Sequence, residues 1–188
     1  MSQDGEGAMI VAISGKSGCG NTTVSRLLAE RLGVRLVNYT FRNIAAERGV
    51  SLAEIIELAR ADDWYDLHVD RRQVELAHEG DCVIGSRLAI WMLPDAALRV
   101  YLTASVEVRA ERIRLRPHGQ GPESGDRATV LDFTRERDAQ DHQRYRRLYD
   151  IDNDDYSFAD LVINTERFLP ESIVDLIAAA CERASPRA

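Results

Sequence analysis

The sequence predicts an α/β fold built on a five-stranded parallel sheet flanked by helices. Short apolar runs without polar alternation, among them MIVAIS (9–14), DCVIGS (81–86) and DLVIN (160–164), read as strands buried on both faces. Longer stretches with apolar residues at helical spacing lie between them, and strands that alternate with helices pair in parallel. The first strand also runs directly into a glycine loop, GKSGCGNTT (15–23), which opens a helix.

Taken in order, residues 1–8 read as a tail and MIVAIS as the first strand. TTVSRLLAERL carries Val24, Leu27, Leu28 and Leu32 as a helical stripe, and Gly33 ends it. VRLVN (34–38) is the second strand. Residues 39–80 turn helical and polar, with Ser51 as the N-cap of LAEIIELARA. DCVIGS, LRVYLTA and DLVIN follow as three further strands, each leading into a helical stretch. RPHGQGPESGD (116–126) interrupts this rhythm with glycines 119, 121 and 125 and prolines 117 and 122. Such a loop between two helices is either a lid or a plain surface connection.

At 188 residues, with 45% hydrophobic and 29% charged content, the chain is expected to form one globular domain. Its acidic N-terminus is unlike a leader peptide and its apolar runs are too short to span a bilayer, so a cytoplasmic protein without membrane contact is expected. Cysteines 19, 82 and 181 and histidines 68, 78, 118 and 142 show no metal-ligand spacing. A net charge of −7 argues against a nucleic-acid partner. Of the 24 basic residues only Lys16 is a lysine, and it sits inside the glycine loop.

A loop of this kind lets backbone N–H groups converge on phosphate oxygens at a helix start. Gly15, Gly18 and Gly20 supply the freedom, with Ser17 and Cys19 between them, and Thr22 takes the slot whose hydroxyl reaches Mg²⁺, followed by Thr23. The pattern G-x-x-x-x-G-K-[ST] is broken at one place, where Asn21 stands in the lysine slot. Lys16 is the candidate for the missing charge, an exposed loop lysine being the alternative. A thiol at Cys19, beside a helix N-terminus, is expected to be somewhat acidic.

From Met9 onward the chain resembles the archaeal-type cytidylate kinases, whose loop also places a short hydroxyl or amide side chain before T-T. The resemblance runs through NYTFRNIAAERG (38–49), GSRLAIWM (85–92) and RDAQDHQR (137–144), the last also similar to bacterial cytidylate kinases. It implies a P-loop NTPase fold with a helical monophosphate-binding insertion at 39–80, a lid at 116–130 and the core at 9–38, 81–115 and 131–183. It implies transfer of a phosphoryl group from ATP to CMP and dCMP with Mg²⁺, and small nucleotides as partners without an obligate protein partner. Under it Gly15–Thr23 hold ATP and Thr22 the metal, while Arg42 and Arg87 are phosphate-binding arginines. Two positions depart from the families. Leu88 replaces a bacterial aspartate that helps to read cytosine, and Gly85 replaces an acid at the end of the third strand. Lys16 occupies the slot where deviant P-loop ATPases carry their signature lysine. A kinase of UMP, AMP or a metabolite, or a non-catalytic nucleotide-binding regulator, are the alternatives.

The arginine pattern favours the enzyme on chemical grounds, because phosphoryl transfer needs charge neutralisation more than covalent chemistry. Arg109, Arg112 and Arg116 stand at helical spacing before the 116–126 loop, and Arg137, Asp141 and Arg144 share one helix face after it. Arg112, Arg137, Arg144 and Lys16 are the catalytic candidates; Arg42, Arg87, Arg137, Asp141 and Arg144 are the candidates for CMP. Arg146 and Arg147 are expected on the surface. Asp66 and Asp70, four apart, either face the acceptor pocket or pair along their helix.

Overall fold

The computed structural model describes residues 8–116 and 125–184. Strands β1 (Ile10–Ser14), β2 (Arg35–Val37), β3 (Cys82–Gly85), β4 (Leu98–Thr103) and β5 (Leu161–Asn164) form one sheet of order β2-β3-β1-β4-β5. Every pairing is parallel, as expected. The chain steps from β1 out to β2, returns to β3, then crosses β1 to reach β4. Ligand crevices in open parallel sheets form at the carboxyl ends of strands around such a reversal.

Alternate residues of the central strand feed two cores. Val11 and Ile13 pack with Val24 and Leu28 of α1 (Asn21–Leu32) and with Ile173 and Ile177 of α8 (Pro170–Cys181). Ile10 and Ala12 face the opposite layer, with Ala77 at the end of α4 (Trp64–Ala77) and Ile90 in α5 (Ala89–Met92). Between β2 and α4 come α2 (Phe41–Arg48) and α3 (Leu52–Ala61). Tyr39, Ile44, Ala45, Ile55 and Tyr65 give this segment a small core of its own. Its caps follow the sequence: Ser51 Oγ accepts from Glu54 N at 3.1 Å, and Thr40 and Asn43 form a reciprocal cap on α2.

The last layer is α6 (Val106–Arg114) and the long α7 (Arg127–Tyr149), joined by Ala110, Ile113 and Val130. Most of the 116–126 loop, residues 117–124, lies outside the described residues, as do 1–7 and 185–188. The last four positions of the expected lid, 127–130, form the first turn of α7. Asp126 caps that turn, accepting from Thr129 N at 2.8 Å. Among the described residues no helix is long and apolar enough to cross a membrane.

One buried cation holds α6, α7 and the glycine loop together. Arg109 is 4% exposed, and its guanidinium donates to both carboxylate oxygens of Asp138 at 3.1 and 2.6 Å. The same group donates to Ser17 O at 3.1 Å and to Ala104 O at 3.2 Å. Removing the carboxylate leaves a buried charge without its counterion, a loss of about 3 kcal/mol. Asp138→Ala is therefore expected to lower Tm by roughly 6–12 °C in a chain of this size, measured by thermal denaturation.

Candidate active site

The glycine loop joins β1 to α1 at the carboxyl edge of the sheet. Gly18 has φ 89°, and a Cβ there would stand 2.8 Å from the Cβ and carbonyl oxygen of Arg109, so the loop lies directly on α6. Asn21 turns inward: its Nδ2 donates to Gly15 O at 2.7 Å, pinning the loop's first peptide. In the lysine slot this side chain therefore braces the loop and carries no charge toward a ligand. Gly20 begins α1 with no side-chain cap, and no acid stands in the first turn. Those leading amides and the helix dipole suit a phosphate. Cys19 is 2% exposed among core residues, and burial raises its thiol pKa, which corrects the expectation of an acidic thiol. Only its backbone is available to a nucleotide.

Lys16 is neither a free surface lysine nor aimed at open solvent. Its Nζ lies 2.5 Å from Asp154, and it borders a narrow cleft shared with Arg87, Asp138 and Asp141. Asp154 comes from the turn after α7, a partner that no sequence spacing announces.

Beside the loop opens a cavity of about 760 Å³ between α4 and α7. Each helix lines it with residues at i, i+3, i+4 and i+7, one continuous face. From α7 these are Arg137, Gln140, Asp141 and Arg144; from α4 they are Asp66, Val69, Asp70 and Gln73. Arg42 and Arg87 also line it, and Thr22 reaches it from the head of α1. The acceptor candidates Arg42, Arg87, Arg137, Asp141 and Arg144 thus meet in one place, and Asp66 and Asp70 face it as well. Asp141, 8% exposed, lies 3.2 Å from Arg87 Nε and 2.9 Å from Arg144 Nη2. A single carboxylate holds both forks, and Arg144 also lies 3.8 Å from Asp66.

The two departures have physical reasons. Leu88 is 2% exposed and borders the cavity as an apolar wall. A Cβ on Gly85 would sit 2.1 Å from Ser25 Oγ, so an acid does not fit there while Ser25 is present. Arg112 does not line the cavity. It donates to Thr165 Oγ1 and Thr165 O, each at 2.7 Å, and to Gly18 O at 3.4 Å, which places it behind the loop. Thr23 is exposed on α1. Arg147 is exposed as expected, yet pairs with Asp63 at the start of α4. Sequence reasoning missed Tyr149, whose hydroxyl donates to Asp70 at 2.5 Å, and Gln73, which donates to Tyr39 O at 2.7 Å. The polar stripe 66-70-73 was the signal available.

Backbone amides gathered at a helix start suit one phosphorylated compound, and arginines ringing an adjacent cavity suit another. A molecule built to seat two phosphates side by side, on this sheet order, is a P-loop kinase. The AAA domain family matches residues 11–132. Cytidylate kinase 2 of Borrelia garinii subsp. bavariensis is 43% identical over 173 residues, covering 90% of this chain and 94% of the relative. Cytidylate kinase of Pyrococcus horikoshii is 39% identical over 180 residues, covering 95% and 91%. The chain belongs to the cytidylate kinase family. In fold it is similar to shikimate kinase from Bacteroides thetaiotaomicron, with a TM-score of 0.64 at 16% identity over 93% of this chain and 98% of that one.

The acids facing the cavity are strained electrostatically. Burial raises the pKa of Asp70; Asp66 adds to this, while the Tyr149 bond, Arg144 and Arg87 oppose it. A carboxyl whose pKa the fold raises weakens the native state as pH climbs from its unfolded pKa to its folded one, with the full loss above the latter and no effect below the unfolded carboxylate range. Asp70→Asn keeps an oxygen for Tyr149 and removes the charge. Its Tm should exceed that of wild type at neutral pH, and the gain should shrink to nothing as pH falls below the ordinary carboxylate range, as scanning calorimetry across pH would measure.

Proposed function

We propose that the protein transfers the terminal phosphoryl group of ATP to CMP and dCMP, giving ADP and the diphosphate. The observation that carries this reading is the arginine-lined cavity opening directly beside an uncapped α1 N-terminus. Gly15–Thr23 hold the donor phosphates through backbone amides. Arg42, Arg87, Arg137 and Arg144 hold the acceptor phosphate and the group in flight, their rigid forks matching pairs of phosphate oxygens. The acceptor phosphate oxygen is already anionic at neutral pH, so it attacks the γ-phosphorus in line without a general base. The new P–O bond forms as the bond to the β-phosphate oxygen breaks, and ADP takes the electron pair. Asp141 keeps Arg87 and Arg144 aimed, and Arg112 stiffens the loop from behind.

Thr22 would offer one hydroxyl to Mg²⁺, an oxygen donor that suits this ion, and Gly85 has no room for an acid that could add a second protein ligand from β3. Mg²⁺ bound there supplies charge neutralisation along the phosphates. Residues 39–80 carry the acceptor wall on α4, and 116–130 are proposed as the lid.

Coupled ADP release with CMP, dCMP, UMP and AMP tests the reading: CMP should give the highest kcat/KM, and equal values for CMP and AMP would refute it. Arg137→Lys and Arg144→Lys should each lower kcat at least tenfold, about 1.4 kcal/mol of barrier, because a lysine cannot copy the fork. Arg147→Lys, outside the cavity, is the silent control. Lys16→Ala should lower kcat more than about threefold, or ~0.7 kcal/mol, if Lys16 leaves Asp154 to supply the charge that Asn21 lacks. A smaller effect assigns Lys16 to holding Asp154 alone.

A further inference from the structure

With Leu88 apolar, the arginine-rich cavity still needs a group that distinguishes one pyrimidine from another. The cavity is divided by charge. Arg137 and Arg144 of α7, with Arg42 and Arg87, make a wall for phosphate, whereas α4 contributes two acids and an amide. A monophosphate repelled by Asp66 and Asp70 is forced to put its phosphate toward the arginines and its base toward α4.

Asp70 is the oriented member of this wall. One carboxylate oxygen is held at 2.5 Å by the hydroxyl of Tyr149, a residue that does not border the cavity itself. That bond engages one oxygen and leaves the other able to accept from a ligand in the cavity. Cytosine offers an N4 amino donor at the edge where uracil offers the O4 acceptor, and carboxylates accept from cytosine N4. We propose that Asp70, anchored by Tyr149 and backed by Asp66 one turn earlier, reads the exocyclic amino group of the acceptor base. This inference rests on the nucleoside-monophosphate kinase reading above. Its partial burial removes competing water, so an unmatched base leaves the acceptor unpaired and facing uracil O4. Adenine also carries an amino donor, so this contact discriminates among pyrimidines and not between cytosine and adenine.

The test uses the full chain and three acceptors: CMP, UMP and the monophosphate of 2-pyrimidinone riboside, which keeps the ring nitrogen but lacks the amino group. Wild type should lose at least tenfold in kcat/KM with the 2-pyrimidinone nucleotide relative to CMP; equal rates would overturn the proposal without any variant. In Asp70→Asn, Tyr149 keeps the amide oxygen and the NH₂ turns into the cavity, a donor where an acceptor stood. The CMP/UMP ratio of kcat/KM should fall at least tenfold, with UMP improving in absolute terms. Tyr149→Phe, which keeps every charge, should lower the same ratio by a smaller factor. Equal losses with CMP and UMP in Asp70→Asn would make Asp70 a structural or charge-balancing residue and sink the idea. Wild-type turnover of CMP and UMP at equal rates overturns the base-reading role while leaving the kinase in place. No turnover of any monophosphate removes both.

Discussion

The placement of the whole site depends on the Arg109 guanidinium. It is a buried charge, and burial of a charge is tolerated only when its hydrogen-bonding capacity is spent. Arg109 spends its donors on three different pieces of chain: the β4–α6 turn through Ala104 O, the glycine loop through Ser17 O, and α7 through Asp138. The loop therefore cannot shift against α7 without stranding a charge. Asp138 is the immediate neighbour of Arg137 and lies three residues before Asp141, so fixing it sets the rotation of α7 about its axis. The 137-140-141-144 face is turned to the cavity because the residue beside it is tied to α6 on another side.

The strands and helices were legible because their signals are local. Apolar runs of four to six residues gave the sheet, and Ser51 and Gly33 marked helix ends where the capping physics operates. The shared face of Arg137, Asp141 and Arg144 was legible for the same reason, since i, i+4 and i+7 share a helix face wherever the helix lies, whereas Arg42 and Arg87 were reached through the resemblance. What escaped was pairing between distant segments. Arg112 carries the same composition signal as Arg137, and only the position of Thr165, 53 residues on, reveals that its donors are already engaged. The partner of Lys16 is 138 residues away on a turn, and the orientation of Asp66 and Asp70 depends on how α4 rolls on the sheet through Val74, Leu76 and Ala77. Cys19 was misjudged because a helix N-terminus and a core position act on a thiol in opposite directions, and here burial prevails.

Helices α4 and α7 face one another with complementary chemistry. Three contacts stitch them along their length: Arg147 to Asp63, Arg144 to Asp66 and Tyr149 to Asp70. Each joins a donor on α7 to a carboxylate on α4. The acidic helix thereby keeps the arginine helix oriented, and the ion pairs near the cavity leave guanidinium donors to be claimed by a stronger anion. A phosphate that binds Arg144 competes with Asp66 at 3.8 Å, a pair too loose to resist it.

Ser25 shapes the site from within α1. Its hydroxyl is buried without a hydrogen-bond partner, and it fills the space that a side chain at position 85 would need. An acid at 85 introduced into the present sequence would collide with that hydroxyl and, at 2.8 Å, with the Cβ of Ser25, so losing the hydroxyl alone does not open the space. The two positions are thus coupled sterically, and glycine at the end of β3 is a packing requirement imposed from α1.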